Sequence, residues 1–230
     1  MLEFRDIAVR RGDFTLTADL AVPDGARVAV IGASGSGKST LLALVAGFLP
    51  PDRGRILWQG RDLAGVPPGE RPLSVLFQDQ NLFPHLDVAQ NVGLGLRPDL
   101  RLDPAQRQRV GEVLTAVGLS GHERRRPASL SGGQQGRVAL ARVLLRARPI
   151  LLLDEPFAAL GPALKAEMLE LVGRIATQTG ATVLMVTHDP RDAARFAPQT
   201  ILIDAGVAHP PRPTRALLAD PPPGLRDYLG

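Results

Sequence analysis

Residues 32–39, with the sequence Gly-Ala-Ser-Gly-Ser-Gly-Lys-Ser, constrain the fold of this chain more than any other segment. They fit the pattern G-x-x-x-x-G-K-[S/T] in full and stand between a short apolar run, 27–31, and a segment of helical character, 38–48. The glycines let successive N–H groups point inward, and with the helix N-terminus they form a concavity suited to polyphosphate. The sequence therefore predicts a phosphate-binding loop between a buried strand and a helix, the first βα unit of an α/β fold.

Several side chains of this loop have predicted roles of their own. Lys38, one of only two lysines in the chain, supplies a compact positive charge for β- and γ-phosphates. Ser39 is expected to place its hydroxyl on Mg²⁺, and Thr40 to reach the α-phosphate. The residues expected to bind nucleotide in this segment are Gly32, Ala33, Ser34, Gly35, Ser36, Gly37, Lys38, Ser39 and Thr40.

Ionisable residues stand at the ends of two later apolar runs. Asp154 and Glu155 end the run that begins at Ile150, and this placement predicts that Asp154 holds Mg²⁺ while Glu155 orients or deprotonates an attacking water. His188 follows the run 182–187 and is a candidate contact for the γ-phosphate. The alternatives are two carboxylates that cap a turn before Pro156, and an ordinary surface histidine.

Composition excludes several classes of protein. With 230 residues, of which 44% are hydrophobic, the chain can bury a substantial core and is not a disordered tail. There is no cysteine, so disulfides and thiolate metal sites are excluded. The longest apolar run, 41–49, is too short to span a bilayer, and the first residues lack a signal-peptide pattern, which leads us to expect a cytosolic protein.

The pattern of apolar residues predicts an α/β fold with a mixed sheet. Alternation over 14–20 indicates an antiparallel edge region, and further buried strands are predicted at 74–78, 150–154, 182–187 and 200–203. Residues 79–149 look helical, with one helix after Asp103 and another from about Gly133. We expect one domain, with a core over about 1–78 and 150–210, an inserted helical subdomain over about 79–149, and a proline-rich tail over about 207–230.

Residues 130–134, Leu-Ser-Gly-Gly-Gln, carry the resemblance to a known family. With the phosphate loop, Asp154-Glu155 and His188 in this order, the chain resembles the ATP-binding cassette ATPases over essentially its whole length. The resemblance implies a P-loop NTPase core of RecA-like fold, ATP and Mg²⁺ as ligands, and ATP hydrolysis. It also implies that Gln78, which matches the family's Q-loop, takes part in catalysis and in binding Mg²⁺. It assigns a second γ-phosphate site to the residues of the signature, Ser131, Gly132, Gly133 and Gln134.

The resemblance also implies partners. Two copies facing head to tail would hold two ATP molecules, each between one subunit's phosphate loop and the other's signature. Within the family, segments 71–78, 81–86, 88–96 and 149–157 are most similar to the ATPase subunits of bacterial thiamine importers. This implies an integral-membrane permease that docks near residues 78–85, a periplasmic protein that delivers thiamine or its phosphates, and a place on the cytoplasmic face of the inner membrane. No nucleic acid is expected.

Three positions depart from the family pattern. Gly161 replaces the aspartate that usually ends the D-loop, so weaker communication between the two ATP sites is expected. Arg11 stands where an aromatic residue usually stacks on adenine and is expected to stack its guanidinium there, whereas the alternation of Phe14 with its neighbours indicates a core residue. Gly136 replaces a longer polar residue after the signature, and a loosely started helix is expected.

Three rival functions stay open. The chain would otherwise be a soluble cassette ATPase that acts on nucleic acid or the ribosome, an importer ATPase for a different small solute, or an ATP-binding regulatory subunit without turnover. The absence of a coiled-coil insertion between the phosphate loop and the signature argues against the first. The presence of Lys38, Asp154, Glu155 and His188 argues against the last.

Overall fold

A computed structural model describes residues 1–77, 81–158 and 160–229 of the chain. Within these residues, one sheet of eleven strands has the order β5-β4-β1-β2-β10-β9-β3-β8-β7-β6, and β11 pairs with β9. The strands are β1 (Leu2–Arg11), β2 (Phe14–Val22), β3 (Arg27–Ile31), β4 (Arg53–Trp58), β5 (Arg61–Asp62), β6 (Leu73–Leu76), β7 (Ile150–Asp154), β8 (Thr182–Val186), β9 (Gln199–Asp204), β10 (Val207–Ala208) and β11 (Arg212–Pro213).

Helices cover the parallel part of this sheet. Strands β9, β3, β8, β7 and β6 are parallel neighbours, while β1, β2, β4 and β5 form an antiparallel edge region. The helices are α1 (Lys38–Ala46), α2 (Val88–Gly93), α3 (Pro104–Ala116), α4 (Gly132–Leu145), α5 (Pro162–Thr179), α6 (Pro190–Phe196), α7 (Thr214–Ala219) and α8 (Pro223–Leu229). The predicted α/β fold with a mixed sheet is therefore confirmed.

The central strands β3, β7 and β8 are mostly apolar, as expected for strands with both faces of the sheet covered. In β3, Val28 and Val30 join the core shared with α1, β1 and β2, whereas Ala29 and Ile31 join the core shared with α4 and α5. Strand β8 divides its side chains in the same way. The sheet thus lies between two hydrophobic cores, and the ends of its parallel strands are held in a fixed relation to each other.

Most element boundaries agree with the sequence patterns, and the differences have physical causes. Helix α1 ends at Ala46, two residues before the predicted end, because Gly47 adopts the left-handed conformation that closes a helix. Patterning did not identify β1, β4, α2 or α8, which lack either strict alternation or sufficient length. Helices α2, α3 and α4 lie between β6 and β7. The division into a core, a helical subdomain and a tail stays a prediction.

The C-terminal end of α1 is fixed by a buried arginine. Arg71 is 7% exposed, and its Nη1 donates hydrogen bonds to the carbonyl oxygens of Leu44 and Val45 at 2.9 and 2.7 Å. The same guanidinium also donates to the carbonyl oxygens of Leu63 and Val66. A cation at this end complements the helix dipole, so Arg71 anchors the helix that begins at the phosphate loop.

Among the described residues, no helix is both long enough and apolar enough to cross a membrane.

Candidate functional site: a nucleotide-binding centre

Three adjacent parallel strands bring the predicted site residues to one edge of the sheet. Strand β3 runs into the phosphate loop, β7 ends at Asp154, and β8 is followed by His188. Asp154 is paired with Val186 in the register of β7 and β8. Because the carboxyl ends of parallel strands meet at the same edge, residues more than a hundred positions apart become neighbours, as in other open α/β sheets.

Two glycines of the phosphate loop are required by close approach of other groups. Gly32 has φ 154°, and a Cβ there would lie 2.2 Å from the carbonyl oxygen of Ile203. Gly37 has φ 109°, and a Cβ there would lie 2.7 Å from the ring of Phe14. Phe14 packs against the core that contains β1 and β2, as its alternation predicted, and also supports the loop. The loop can therefore take this path only with glycine at both positions.

Lys38 is held inside the loop and not extended into solvent. Its Nζ donates hydrogen bonds to the carbonyl oxygens of Gly32 and Ala33, both at 2.8 Å, and the residue is 9% exposed. Burial lowers the pKa of Lys38, and the charges of Glu155 and Asp154 oppose this shift. An ammonium has three donors, so one remains for a ligand in the loop.

The hydroxyl of Ser36 is an unusual feature of the loop. Its Oγ is buried and has no hydrogen-bond partner among the described residues. Leaving a buried hydroxyl without a partner costs about 1–3 kcal/mol. In folded proteins, a bound ligand or water therefore usually forms the missing hydrogen bond. A phosphate oxygen in the loop would satisfy it.

Ser39 and Asp154 form the oxygen-rich part of the site. The Ser39 hydroxyl donates a hydrogen bond to Asp154 Oδ1 at 3.3 Å. Burial raises the pKa of Asp154, and the neighbouring Glu155 adds to the rise, while the Ser39 hydrogen bond and Lys38 oppose it. A hydroxyl and a desolvated carboxylate are hard oxygen donors that suit Mg²⁺, and a cation here would offset the cost of burying the Asp154 charge. The residues present therefore fit a magnesium ion.

Glu155 and His188 contact each other directly. His188 Nδ1 lies 3.0 Å from Glu155 Oε2. Glu155 has φ 43°, a left-handed conformation that is uncommon for a residue with a side chain and that is often found at functional sites. Its N–H donates to the carbonyl oxygen of Val186, which holds this conformation at the end of β7. The turn thus directs the carboxylate toward the loop after β8.

The signature segment forms a well-defined helix start. Ser131 is the N-cap of α4: its Oγ accepts the N–H of Gln134 at 3.3 Å, and Gln134 Oε1 accepts the N–H of Ser131 at 3.0 Å. The expectation of a loosely started helix is wrong, because this capping box is closed and Gly136 is buried within the helix. A Cβ at Gly133 would lie 2.9 Å from Leu164 Cδ2, so the start of α4 packs closely on the first turn of α5.

The remaining predicted residues have different positions. Arg11 ends β1, is exposed, and donates from Nη1 to the carbonyl oxygen of Arg10 at 2.8 Å. The cleft beside the phosphate loop is lined by Asp13, Phe14, Thr15, Ala33, Ser34, Gly35, Ser36, Asp204, Ala205 and Gly206. Gln78 lies outside the described residues, so its predicted role in catalysis and Mg²⁺ binding stays a prediction.

Gly161 occupies the N-cap position of α5. Its backbone is extended, with φ −62° and ψ 156°, and no side chain caps the helix. A Cβ at this position would meet no atom within 4 Å. An aspartate would therefore fit here without steric conflict, and would be a favoured N-cap.

Sequence reasoning missed two side chains near the site. His122 Nε2 lies 3.3 Å from Nε2 of the signature residue Gln134, and His122 Nδ1 lies 3.2 Å from the carbonyl oxygen of Ser120. Lys165 forms an ion pair with Asp192 on α6, next to the His188 loop. Lys165 is the second of the two lysines in the chain, but its partners are distant in sequence and no spacing pattern reveals them.

Comparison with known proteins agrees with this geometry. The profile of the ABC transporter family matches residues 16–158. Thiamine import ATP-binding protein ThiQ of Cereibacter sphaeroides is 66% identical over 230 residues, covering all of both chains. The protein of the same name from Ruegeria sp. is 58% identical, again over the full length of both chains.

Solved structures give the same result. An ATP-binding cassette named MJ0796, in a dimeric post-hydrolysis state bound to ADP and Pi, has a TM-score of 0.81 and 29% identity, with 94% of this chain and 99% of that chain covered. CbiO1 of Clostridium perfringens, part of an ABC transporter complex, has a TM-score of 0.85 and 28% identity, with 95% and 90% covered. The chain belongs to the ABC transporter family. Within it, this chain is an ATP-binding and ATP-hydrolysing cassette.

Proposed function

We propose that this chain is the ATPase subunit of a bacterial thiamine importer, and that it hydrolyses Mg²⁺-bound ATP to drive import. One observation supports the catalytic part of this proposal. The Ser39–Asp154 contact, the His188–Glu155 contact and Lys38 lie together at one edge of the sheet. The solute is proposed from the full-length relatives at 66% and 58% identity, which are named for thiamine import.

Each residue has a distinct part in the proposed hydrolysis. The loop N–H groups, Lys38 Nζ and Ser36 Oγ bind the phosphates, and Ser39 and Asp154 hold Mg²⁺. When bound, this ion would neutralise charge on the β- and γ-phosphates as the bond between them breaks. Glu155 accepts a proton from the water that attacks the γ-phosphate, and His188 holds the Glu155 carboxylate through its Nδ1 contact.

The active assembly in this proposal is a head-to-tail dimer on a membrane permease. In each half, residues 131–134 of one copy would close over the ATP held by the phosphate loop of the other. The dimeric state of the similar cassette bound to ADP and Pi supports this arrangement. The permease would dock near residues 78–85, and a periplasmic thiamine-binding protein would deliver the solute. The chain would then lie on the cytoplasmic face of the inner membrane.

The catalytic part is tested by comparing ATP turnover of the wild type and Glu155→Gln. The variant is expected to bind ATP with similar affinity but to lose at least about 100-fold in kcat, because a general base contributes about 10²–10⁴-fold. Equal rates would contradict the assigned role and favour a regulatory subunit.

The solute is tested by reconstitution with the permease subunit of a bacterial thiamine importer. Thiamine added with its binding protein is expected to raise the ATPase rate of vesicles, whereas an unrelated solute is not. Membrane recruitment only on co-expression with the permease would support the importer, whereas salt-sensitive binding to nucleic acid would support the soluble cassette.

A further inference from the structure

The second lysine of the chain lies behind the Glu155–His188 pair. Lys165 is in the first turns of α5, and its Nζ donates a hydrogen bond to Asp192 Oδ2 at 3.0 Å and lies 3.7 Å from Asp189 Oδ2. The side chain of Lys165 is 16% exposed, and those of the two aspartates are each 15% exposed. One largely buried ammonium therefore lies close to two carboxylates at the start of α6, and binds Asp192 the more tightly.

These carboxylates fix the backbone on both sides of His188. The Thr187 hydroxyl donates to Asp192 Oδ2 at 3.2 Å, and the Asp189 N–H donates to Thr187 Oγ1 at 3.1 Å. Thr187 is also tied to the sheet, because its N–H donates to the carbonyl oxygen of Val30. His188 thus stands between two residues whose positions depend on the same network.

The network reaches the catalytic pair directly. A small cavity between them is lined by Glu155, Thr187, His188, Asp192 and Lys165. The His188 side chain is 56% exposed, and its Nδ1 lies 3.0 Å from Glu155 Oε2. The backbone from Thr187 to Asp189 sets where this ring stands relative to Glu155.

Helix α5 also touches the signature segment. Leu164, the residue before Lys165, packs on Gly133 at the start of α4. The same helix turn thus contacts the segment proposed to bind the partner's ATP and, through Lys165, the loop that carries His188 of its own site. The packing of Leu164 on Gly133 is present although Gly161 provides no carboxylate at the start of α5.

We propose that Lys165 is a positioning residue for ATP hydrolysis, which holds the His188 loop in place through its ion pair with Asp192. The proposal rests on the role of His188 in the proposed function. Without the ammonium, the poorly solvated Asp192 carboxylate loses its ion-pair partner, and His188 moves relative to Glu155. Arg191 binds both carboxylate oxygens of Asp189, each at 3.1 Å, but it is 91% exposed and does not take the place of the largely buried Lys165 at Asp192.

The kinetic test compares Lys165→Met, Lys165→Arg and the matched control Arg191→Met. Displacement of a catalytic group lowers the reaction rate by an order of magnitude or more. Lys165→Met is therefore expected to lower kcat by about tenfold. Because the phosphate loop is untouched, KM for ATP is expected to change less than about twofold. Lys165→Arg is expected to restore most of the rate, and Arg191→Met to leave kcat within about twofold.

A spectroscopic measurement separates positioning from a merely structural role. The chain has four histidines, so the ring resonances can be assigned by NMR, with His188 identified by its loss in His188→Ala. Lys165→Met is expected to shift the His188 resonance in the folded full-length protein, and Arg191→Met to leave it in place. An unchanged resonance together with unchanged kcat in Lys165→Met would overturn the proposal.

The two proposals fail differently. If Glu155→Gln and His188→Ala hydrolyse ATP at the wild-type rate, the proposed catalytic function is wrong, whatever Lys165 does. If those variants are inactive while Lys165→Met keeps both the wild-type rate and the wild-type His188 resonance, only the positioning role is wrong.

Discussion

Ser39 and Asp154 are 115 positions apart in sequence, yet the Ser39 hydroxyl lies 3.3 Å from Asp154 Oδ1. The contact joins the first residues of α1 to the end of β7. The fold thus places the predicted magnesium ligands side by side.

Asp154→Asn is expected to stabilise the protein in the absence of nucleotide. Burial raises the pKa of Asp154 above 3.8, so within the interval between 3.8 and the raised value the folded state binds more protons than the unfolded state. This group therefore contributes stability below 3.8 that is lost as the pH rises through its raised pKa. Asparagine removes the dependence, and the melting temperature of the variant should exceed that of the wild type by more at pH 8 than at about pH 4.

The same variant provides the test of the metal site. Mg²⁺-ATP at a hundredfold excess over Kd is expected to stabilise the wild type by about 2.7 kcal/mol. In Asp154→Asn, most of the stabilisation that depends on Mg²⁺ should be lost. An equal Mg²⁺ effect in both proteins would exclude Asp154 as a ligand.

Ser36→Ala is expected to have opposite effects on the free and bound protein. Removing the unpartnered buried hydroxyl should stabilise the nucleotide-free protein by about 1 kcal/mol, while loss of a phosphate contact should weaken ATP binding by about fivefold. Thermal melting and calorimetric titration measure the two effects. Ser120→Ala, which removes an exposed and hydrogen-bonded hydroxyl outside the loop, is the matched control and should change neither by as much. Weaker stability without any change in affinity would contradict the assignment.

Gly161→Asp is expected to add an N-cap to α5. The extended backbone and free space at this position allow the substitution, and the gain in the free energy of unfolding should be about 0.3 kcal/mol. We also expect stronger cooperativity of ATPase activity with ATP concentration and stronger dimerisation, with Gly161→Ala as the control. If both stay at the wild-type level, Gly161 does not weaken communication between the sites.

Arg71→Met is expected to destabilise the protein by about 3 kcal/mol, because four carbonyl oxygens lose a buried charged donor. For a chain of this size, the melting temperature should fall by roughly 6 °C or more. Arg61→Met removes an exposed arginine nearby and should have little effect. A small loss in the Arg71 variant would show that other groups hold the end of α1.

Arg11→Ala tests the predicted stacking on adenine. Loss of a guanidinium–ring contact of roughly 1 kcal/mol should weaken ATP binding by about fivefold, while Arg10→Ala should not. Phe14 borders the cleft beside the loop, so Phe14→Leu is the informative second variant. Weaker binding in Phe14→Leu alone would assign the base to Phe14.

The local features of the site could be predicted from the sequence because they depend on short-range geometry. The glycines at 32 and 37 and the lysine at 38 allow only a phosphate-binding turn, and the apolar run from Ile150 to Asp154 specifies a buried strand that ends in a carboxylate. The capping box of α4 was not predicted, although Ser131 and Gln134 are three residues apart. Gly136 led instead to the wrong expectation of a loosely started helix, because its burial was not visible in the pattern.

Contacts between distant segments were decided by the tertiary structure alone. The order of β3, β8 and β7 determines that Ser39 meets Asp154 and that Glu155 meets His188. The pairing of Lys165 with Asp192 and the four hydrogen bonds of Arg71 depend on how α5 and α1 pack, and no periodicity records them. The sequence by itself determined which groups could bind phosphate and metal, because backbone conformation and side-chain chemistry are local. Their distances, burial and pKa shifts required the folded sheet, because these properties arise from neighbours that the chain brings together only on folding.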